Sequence, residues 1–512
     1  MKPWFKWLLM PFFVLALVGC NAESTEDSTG SDDESSQNDS TNDETSSDSN
    51  DDDTASSGDE PTGTLRSSTA TAITGMSIDC TSTTFCQLRV AGAHQLADGR
   101  VMILTSFNRT KAGYALREWH WVQLNEELNG LDTDFADNGV KIMPGGDFVD
   151  YYASRAYAWD SEERLVVLSH PRNATGERIA SYVERYASNG DIDTTFGNSN
   201  QFLLPTQAVS TGQRTTALTV LSDDRIVIGG TVGSGYPVTR NWTLRVVTEA
   251  GELDATVHPD SEPKVYNIDG ANNDTVLQGL YVHGSHLYAW GVGDDDKHIV
   301  MRINTSDWTI DDTFGTDGVV SVITETDAYI SDVLVDSQGR LVVVGSGPGQ
   351  DTNVLSADSG WAYHIYRYTS AGVADTGFGT AGLVKVDFGY SNVQTQTIND
   401  YAYKVYEQEN GKLVVVGHSN SGTGSPPPRG ISMIRLLTNG DLDTTFGPVD
   451  KRLQAQSIGA GYIWASNSQT GRTQTAVIAL QDGSLLGVAA NRNSSSTQLQ
   501  NYTAPIALHR WD

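Results

Sequence analysis

Cysteine is almost absent from this sequence, with 3 residues in 512. That excludes a disulfide-dense scaffold and zinc sites built from cysteine clusters. Basic residues are also scarce. Lys and Arg number 33 against 64 Asp and Glu, for a formal net charge of −31, which argues against nucleic acid as a partner. The spacing of an amphipathic helix is missing from the body of the chain. The apolar run Trp7–Val18 is shorter than the roughly 20 residues of a permanent bilayer span. No HExxH, Walker loop, GxGxxG or EF-hand loop occurs. His283-Gly-Ser-His286 falls at a repeated turn, so no metal is expected there. Gly417-His418-Ser419-Asn420-Ser421 lacks the second glycine of a nucleophile elbow and precedes no helix. Gly293-Asp294-Asp295-Asp296 reads as a solvated loop. No catalytic residue, metal site or cofactor is therefore expected, and calcium has no loop of the right spacing to support it.

What is present begins at the N-terminus. Lys2 and Lys6 precede the apolar run, which ends in Leu17-Val18-Gly19-Cys20. A positive start and a short apolar core read as a secretory signal, and the ending resembles the bacterial lipobox. The resemblance implies cleavage before Cys20, a diacylated Cys20 thiol and an acylated new N-terminus, including palmitate. Three acyl chains anchor firmly where one would not. Asn21 in place of Asp favours the outer membrane, on its periplasmic side or at the cell surface.

Residues 21–64 are nearly all Ser, Thr, Asp, Glu, Asn and Gly, with 15 acidic residues and no Lys or Arg between Lys6 and Arg66. Such a segment cannot bury enough apolar surface to offset ordering, and its like charges extend it. The leader contributes +2 and this tether −15, leaving −18 for the body. The expected organisation is a signal peptide over 1–19, a disordered acidic tether over 20–70, and a single folded body over 71–512. Cys80 and Cys86 are expected to form a disulfide pinning two adjacent strands.

The body is repetitive. An Asp-x-x-Phe turn recurs as Asp132 with Phe135, Asp193 with Phe196, Asp311 with Phe314, Asp375 with Phe378, and Asp443 with Phe446. A worn copy stands at Asp254, where Val257 replaces Phe. The Asp positions are 61, 61, 57, 64 and 68 residues apart, a period that means repeat architecture. Between them stand seven Gly or polar turns leading into apolar strands, as in Gln338-Gly339-Arg340-Leu341-Val-Val-Val-Gly. Seven further strands follow, and most carry an Arg: Arg185, Arg245, Arg302, Arg367, Arg435 and Arg510. Strands apolar on consecutive residues are buried on both faces. About 60 residues per unit accommodate four strands, so the expected fold is all-β: a seven-bladed β-propeller of four-stranded antiparallel blades. A β-helix would have a period nearer 20. In the turn, Asp is expected to accept backbone hydrogen bonds two residues on, Phe to fill space between blades near the rim, and Gly to supply a positive φ.

Gly-x-Leu-Asp-x-x-Phe-Gly followed by Asp-Gly-[Arg/Lys]-Leu-Val-Val-Val-Gly resembles the delta-60 repeat of bacterial exported proteins, over roughly residues 80–512. Val257 and Ala136 depart from it, at places where Phe and Gly are expected. The resemblance implies a propeller-like domain and no established activity.

Labelling the strands A to D from axis to rim, the Asp-x-x-Phe turn is expected to join D to the next A, and the Gly turn to join B to C. Both then lie on one face. Long variable stretches (Thr105–Ala115, Gly345–Trp361 and Gly417–Gly430) crowd the other, and any ligand is expected there, near the axis. Tyr151, Tyr152, Tyr236, Trp361, Tyr390 and Trp464 are the candidate ligand-binding aromatics, read as loop residues. The expected function is a monomeric, noncatalytic binding or scaffold propeller whose partners are the membrane, through its lipid, and a protein or glycan ligand. A glycan-active hydrolase or lyase is the enzymatic alternative, with Asp147, Asp150 and Asp269 as candidate axial carboxylates. A surface adhesion or structural protein is the third.

Overall fold

The computed structural model describes residues 71–73, 86–111, 114–143, 157–170, 181–204, 214–234, 239–267, 275–293, 297–323, 328–349, 360–387, 399–420, 429–446, 462–466, 475–490 and 506–511. All described residues lie within Ser57–Asp512. They form strands and turns only. In chain order the strands are β1 (Thr71–Ile73), β2 (Cys86–Gln95), β3 (Val101–Lys111), β4 (Tyr114–Leu124), β5 (Val140–Ile142), β6 (Tyr157–Trp159), β7 (Leu165–Ser169), β8 (Tyr182–Tyr186), β9 (Gln201–Leu203) and β10 (Arg214–Val220). They continue with β11 (Ile226–Ser234), β12 (Thr239–Val247), β13 (Lys264–Tyr266), β14 (Val276–His283), β15 (His286–Val292), β16 (His298–Asn304), β17 (Val319–Ile323), β18 (Tyr329–Val335) and β19 (Leu341–Pro348). The last are β20 (Trp361–Tyr368), β21 (Leu383–Val386), β22 (Asp400–Glu407), β23 (Leu413–Asn420), β24 (Arg429–Leu436), β25 (Tyr462–Ser466), β26 (Thr475–Ala479), β27 (Leu485–Ala490) and β28 (Ile506–Trp511).

The architecture is an all-β propeller of four-stranded antiparallel blades. Six blades use consecutive strands, from β2–β5 to β22–β25. A further sheet is composite, in the order β1-β28-β27-β26. Thr71, Ala72 and Ile73 pair with Leu508, Ala507 and Ile506, so the two ends of the described chain share one sheet. The expectation of seven alike units is corrected here. The repeat counted along the sequence does not coincide with the sheets, because the outer strand of the composite sheet comes from upstream of the first repeat.

First strands of successive sheets meet one another, as do β6 and β10, β10 and β14, β14 and β18, β18 and β22, and β26 and β2. They therefore line the centre. The strand labels expected from sequence shift by one position. The Asp-x-x-Phe turn lies between the third and fourth strands of a blade, as β4–β5 and β16–β17 show, and the Gly turn lies between the first and second. The number of strands per repeat is as expected, but the outer strand follows the Asp-x-x-Phe turn at once and the long connection comes after it. Both regular turns still fall on one face, and the second-to-third connections on the other. Thr105–Ala115 is also corrected: it is not a loop, since β3 and β4 pair out to Lys111 and Tyr114.

Apolar runs such as Leu341–Val344 are buried on both sides. One side faces the blade before and the other the blade after. Val342 and Val344 share a cluster with Val405 and Val415 of the next blade, while Leu341 and Val343 pack with Phe314 and Val320 of the previous one. A blade cannot cover both its faces alone, which is why the repeat requires neighbours.

The repeat turn is a staple between blades. In Asp311-Asp312-Thr313-Phe314, Asp311 Oδ1 accepts hydrogen bonds from Thr313 N at 3.1 Å and Thr313 Oγ1 at 2.6 Å. Asp311 Oδ2 takes Arg302 Nε at 2.8 Å and Nη2 at 2.7 Å. The guanidinium lies 4.4 Å over the Phe314 ring, and its Nη1 donates to Ser370 O of the next blade at 2.6 Å. Gly315 N donates to Ala371 O at 2.8 Å. The same Arg–Asp–Phe unit recurs three times, as Arg185 with Asp193 and Phe196, Arg367 with Asp375 and Phe378, and Arg435 with Asp443 and Phe446. Burial pushes Asp311 up, but the Thr313 hydrogen bonds and Arg302 outweigh it, so the carboxyl ionises below the usual carboxylate range. In the first blade Gln123 stands where Arg is expected, and Arg100 joins it on Asp132, each at 2.7 Å. At the worn copy Arg225 takes Asp254 at 3.2 Å, and Val257 shares its buried cluster with Trp308.

The ring of each turn is buried, and each packs toward the blade that follows. Phe135 shares a cluster with Leu165 and Val167, and Phe196 with Ile226 and Ile228. Phe378 does so with Leu413 and Val415, and Phe446 with Val477 and Leu485. The expected filling of space between blades is therefore observed. Its place is corrected from the rim: these partners lie on the first and second strands of the next sheet, because the turn leaves the third strand rather than the fourth.

A second set of bonds links the Gly-turn regions around the centre. Ala97 N donates to Glu163 Oε1 at 2.6 Å, Ser161 N to Asp224 Oδ1 at 2.8 Å, and Ser337 N to Glu407 Oε2 at 2.7 Å. Gln481 N donates to Gln95 Oε1 at 2.7 Å, tying the composite sheet to the first blade.

The glycine of the turn is required by geometry. Gly315 has φ +62°, and a Cβ there would lie 2.2 Å from Val319 O. Ala136 holds the same place in the first blade at φ 44°. Gly315→Ala is expected to cost about 2–3 kcal/mol, while Ala136→Gly is expected to stabilise by up to about 1 kcal/mol. Denaturant midpoints of the two variants check this pair. Equal and small effects would refute the assignment of backbone strain to Ala136.

Candidate functional site

Five aromatic rings form a row on the variable face of the fifth and sixth blades. Tyr329 begins β18 and Trp361 begins β20, while Tyr401 and Tyr403 lie early in β22 and His418 near the end of β23. Ring centroids are 5.3 Å apart for Tyr329–Trp361, 5.7 Å for Trp361–Tyr401, 4.8 Å for Tyr401–His418 and 5.0 Å for Tyr403–His418. The four rings other than His418 are half-buried. Because β18 and β22 are first strands, the row sits at the axial end of this face.

The backbone beneath explains why the rings stand there. The register of β18 shifts between Ile330 and Asp332, and that of β22 between Ala402 and Lys404. Such bulges re-aim side chains. Gly345 and Gly417 end the apolar runs opposite these bulges. A Cβ on either would lie about 2 Å from the carbonyl of Tyr329 or Tyr401, at 1.9 and 2.0 Å respectively. The strand-ending Gly of the repeat thus makes room for the inner strand to turn its aromatic outward. Polar bonds between the blades hold the platform still. Ala402 N donates to Ser346 Oγ at 2.8 Å, Tyr363 OH and Ser432 Oγ are 2.6 Å apart, and Lys404 Nζ and Val405 N each meet Asp332 at 3.1 Å. Trp361 N donates to Asn399 Oδ1 at 3.1 Å. Tyr403 OH is hydrogen-bonded to His418 Nδ1.

A separate cavity of about 420 Å³ opens at the other end of the first strands, lined by His94, Gln95, Lys404, Tyr406 and Leu480 among others. The amides of Gln95 and Gln481 there are engaged in the latch between sheets. Among the described residues no group of three or more His, Cys, Asp or Glu could hold a metal ion. Ser419 is a buried strand residue in β23, which removes the nucleophile-elbow geometry from Gly417–Ser421. His286 Nε2 lies 3.4 Å from Asp311 Oδ2, within a repeat turn.

Of the aromatics singled out from sequence, Trp361 is in the row, but it opens a strand rather than lying in a loop. Trp464 also falls in a strand, β25, and its side chain lies outside the described residues. Tyr151, Tyr152, Tyr236 and Tyr390 lie outside them too, as do Asp147, Asp150, Asp269, Cys20 and Cys80. Cys86 begins β2, with its side chain likewise outside the description. Tyr329, Tyr401 and Tyr403 were not singled out, and His418 was named only within the Gly417–Ser421 motif. A signal for two of them existed: Tyr329 and Tyr401 occupy equivalent places, opposite Ser346 and His418, at the start of adjacent inner strands.

No curated protein matches the chain. Solved structures match it at low similarity. The prolyl oligopeptidase B from Galerina marginata has a TM-score of 0.38 at 9% identity, covering 79% of this chain, which spans 47% of that one. The α-L-arabinofuranosidase Arb93A from Fusarium graminearum has a TM-score of 0.36 at 9% identity over 86% of this chain and 97% of its own. A polysaccharide lyase described as an ulvan lyase has 0.43 at 9% identity over 84% and 96%. The profile of a family described as "Domain of unknown function (DUF5122) beta-propeller" matches residues 408–446, a stretch that runs from the end of β22 through the turn of Asp443 and Phe446, and the chain is accordingly similar to a repeat family of β-propellers.

Proposed function

We propose that this chain is a noncatalytic binding propeller, held at the outer membrane of a bacterial envelope by a lipid on Cys20 and spaced from it by its acidic tether. The body is read as a delta-60-type ring of seven blades, closed by the composite sheet as the seventh. A disulfide between Cys80 and Cys86 belongs to the same reading. The ligand engages the variable face through Tyr329, Trp361, Tyr401 and their neighbours. The single observation that carries the binding reading is the five-ring row, because half-buried Tyr and Trp on a rigid base supply contact area at little entropic cost.

The test is a screen of the full chain against glycan and peptide arrays, repeated with Trp361→Ala. Any genuine ligand is expected to bind the variant about tenfold or more weakly. Ligands that ignore the substitution, or turnover of a polysaccharide by the protein, would overturn the reading. The anchor is tested separately: radiolabelled palmitate is expected to enter the wild-type chain in bacterial cells and to be absent from Cys20→Ala. Equal labelling of the two would defeat it.

A further inference from the structure

We propose that the aromatic row receives a planar cation, the guanidinium of an arginine in a basic peptide segment, an inference that rests on the variable-face binding reading above. Two observations converge. Ring faces carry negative electrostatic potential, and Tyr and Trp faces attract cations. The body as a whole carries −18 outside the leader and tether, a field that draws cations and repels acidic ligands. A flat guanidinium stacks on an aromatic face, which a compact, strongly hydrated ammonium does less well. The occupant is therefore a basic protein segment rather than an acidic glycan. A neutral glycan is the competing ligand that the experiment must separate.

The readout must be local, because the acidic tether will itself attract basic peptides. The full chain is labelled with 5-fluorotryptophan, and the resonance of Trp361 is assigned by its loss in Trp361→Phe. Hexa-arginine is expected to shift that resonance saturably. Hexa-lysine is expected to bind several-fold more weakly, and hexa-citrulline, flat but uncharged, at least about tenfold more weakly. Tyr401→Ala is expected to weaken the arginine response about tenfold, while Tyr401→Phe, which keeps the ring and the fold, leaves it within about threefold. Raising salt should weaken the response. An equal response to citrulline, or none to arginine, overturns the cationic ligand. If a neutral hexasaccharide then moves the resonance, the binding face stands with a different ligand. If no probe moves it, the binding face falls as well.

Discussion

Arg302→Ala is expected to cost about 3–5 kcal/mol of folding stability, because it strands a buried carboxylate. Asp311 is largely buried and its Oδ2 depends on Arg302. The same substitution removes the cation over Phe314 and the bond to Ser370 of the neighbouring blade. Arg100→Ala provides the contrast. Its side chain is 35% exposed and Gln123 also serves Asp132, so a loss of about 1 kcal/mol or less is expected. Denaturant midpoints with unchanged slopes would measure both. Similar small losses would mean that the staple is ornamental and that apolar packing alone holds the blades together. The pH dependence has a definite sign. All six repeat-turn Asp carboxyls lie below the usual range. Their contribution is therefore present above pH ~4 and lost as pH falls through the folded-state values.

Glu184 is expected to behave in the opposite way. It sits in β8 at 2% exposure, in the place held by Val122, Leu244, Met301, Tyr366 and Ile434 in the other continuous blades. Oε1 has a long contact of 3.4 Å from Ser169 Oγ, and Oε2 has no hydrogen-bond partner among the described residues. Arg185 is turned away, engaged with Asp193 and Glu249 O. Burial pushes the Glu184 carboxyl up to about 7, against smaller opposing contributions from Tyr186, Ser169 and Gln201. A raised carboxyl means that the folded chain holds the proton where the unfolded chain releases it. The Glu184 contribution is therefore most favourable below the unfolded value near 4.5 and falls by about 3 kcal/mol as pH rises to ~7, then levels. Glu184→Leu should stabilise the protein by a similar amount at pH 8 and by little at pH 4. A wild-type stability that is flat across that window would show the carboxyl to be solvated or paired.

Much of this was legible in the sequence because it is written in local chemistry. The Asp and Phe of each turn act within a few residues of one another, and the strand-ending Gly answers to a neighbouring strand at fixed offset. Repetition multiplied both signals. The Arg of the third strand was visible as a recurring residue, but its partners were not. One is Asp311, 9 residues on, and another is Ser370 O, 68 residues on. Nothing local pairs positions so far apart.

Composition, period and turn chemistry by themselves determined an all-β repeat propeller with its regular turns on one face. Only the tertiary structure decided which strand of a blade lies innermost. It also decided that the strand at Thr71–Ile73 completes the sheet of the C-terminal strands, and that Tyr329, Trp361, Tyr401, Tyr403 and His418 stand in one row. The physical reason is common to all three. A strand reads the same wherever it falls in its sheet, so its partners are set by which faces and edges of distant segments are left to cover.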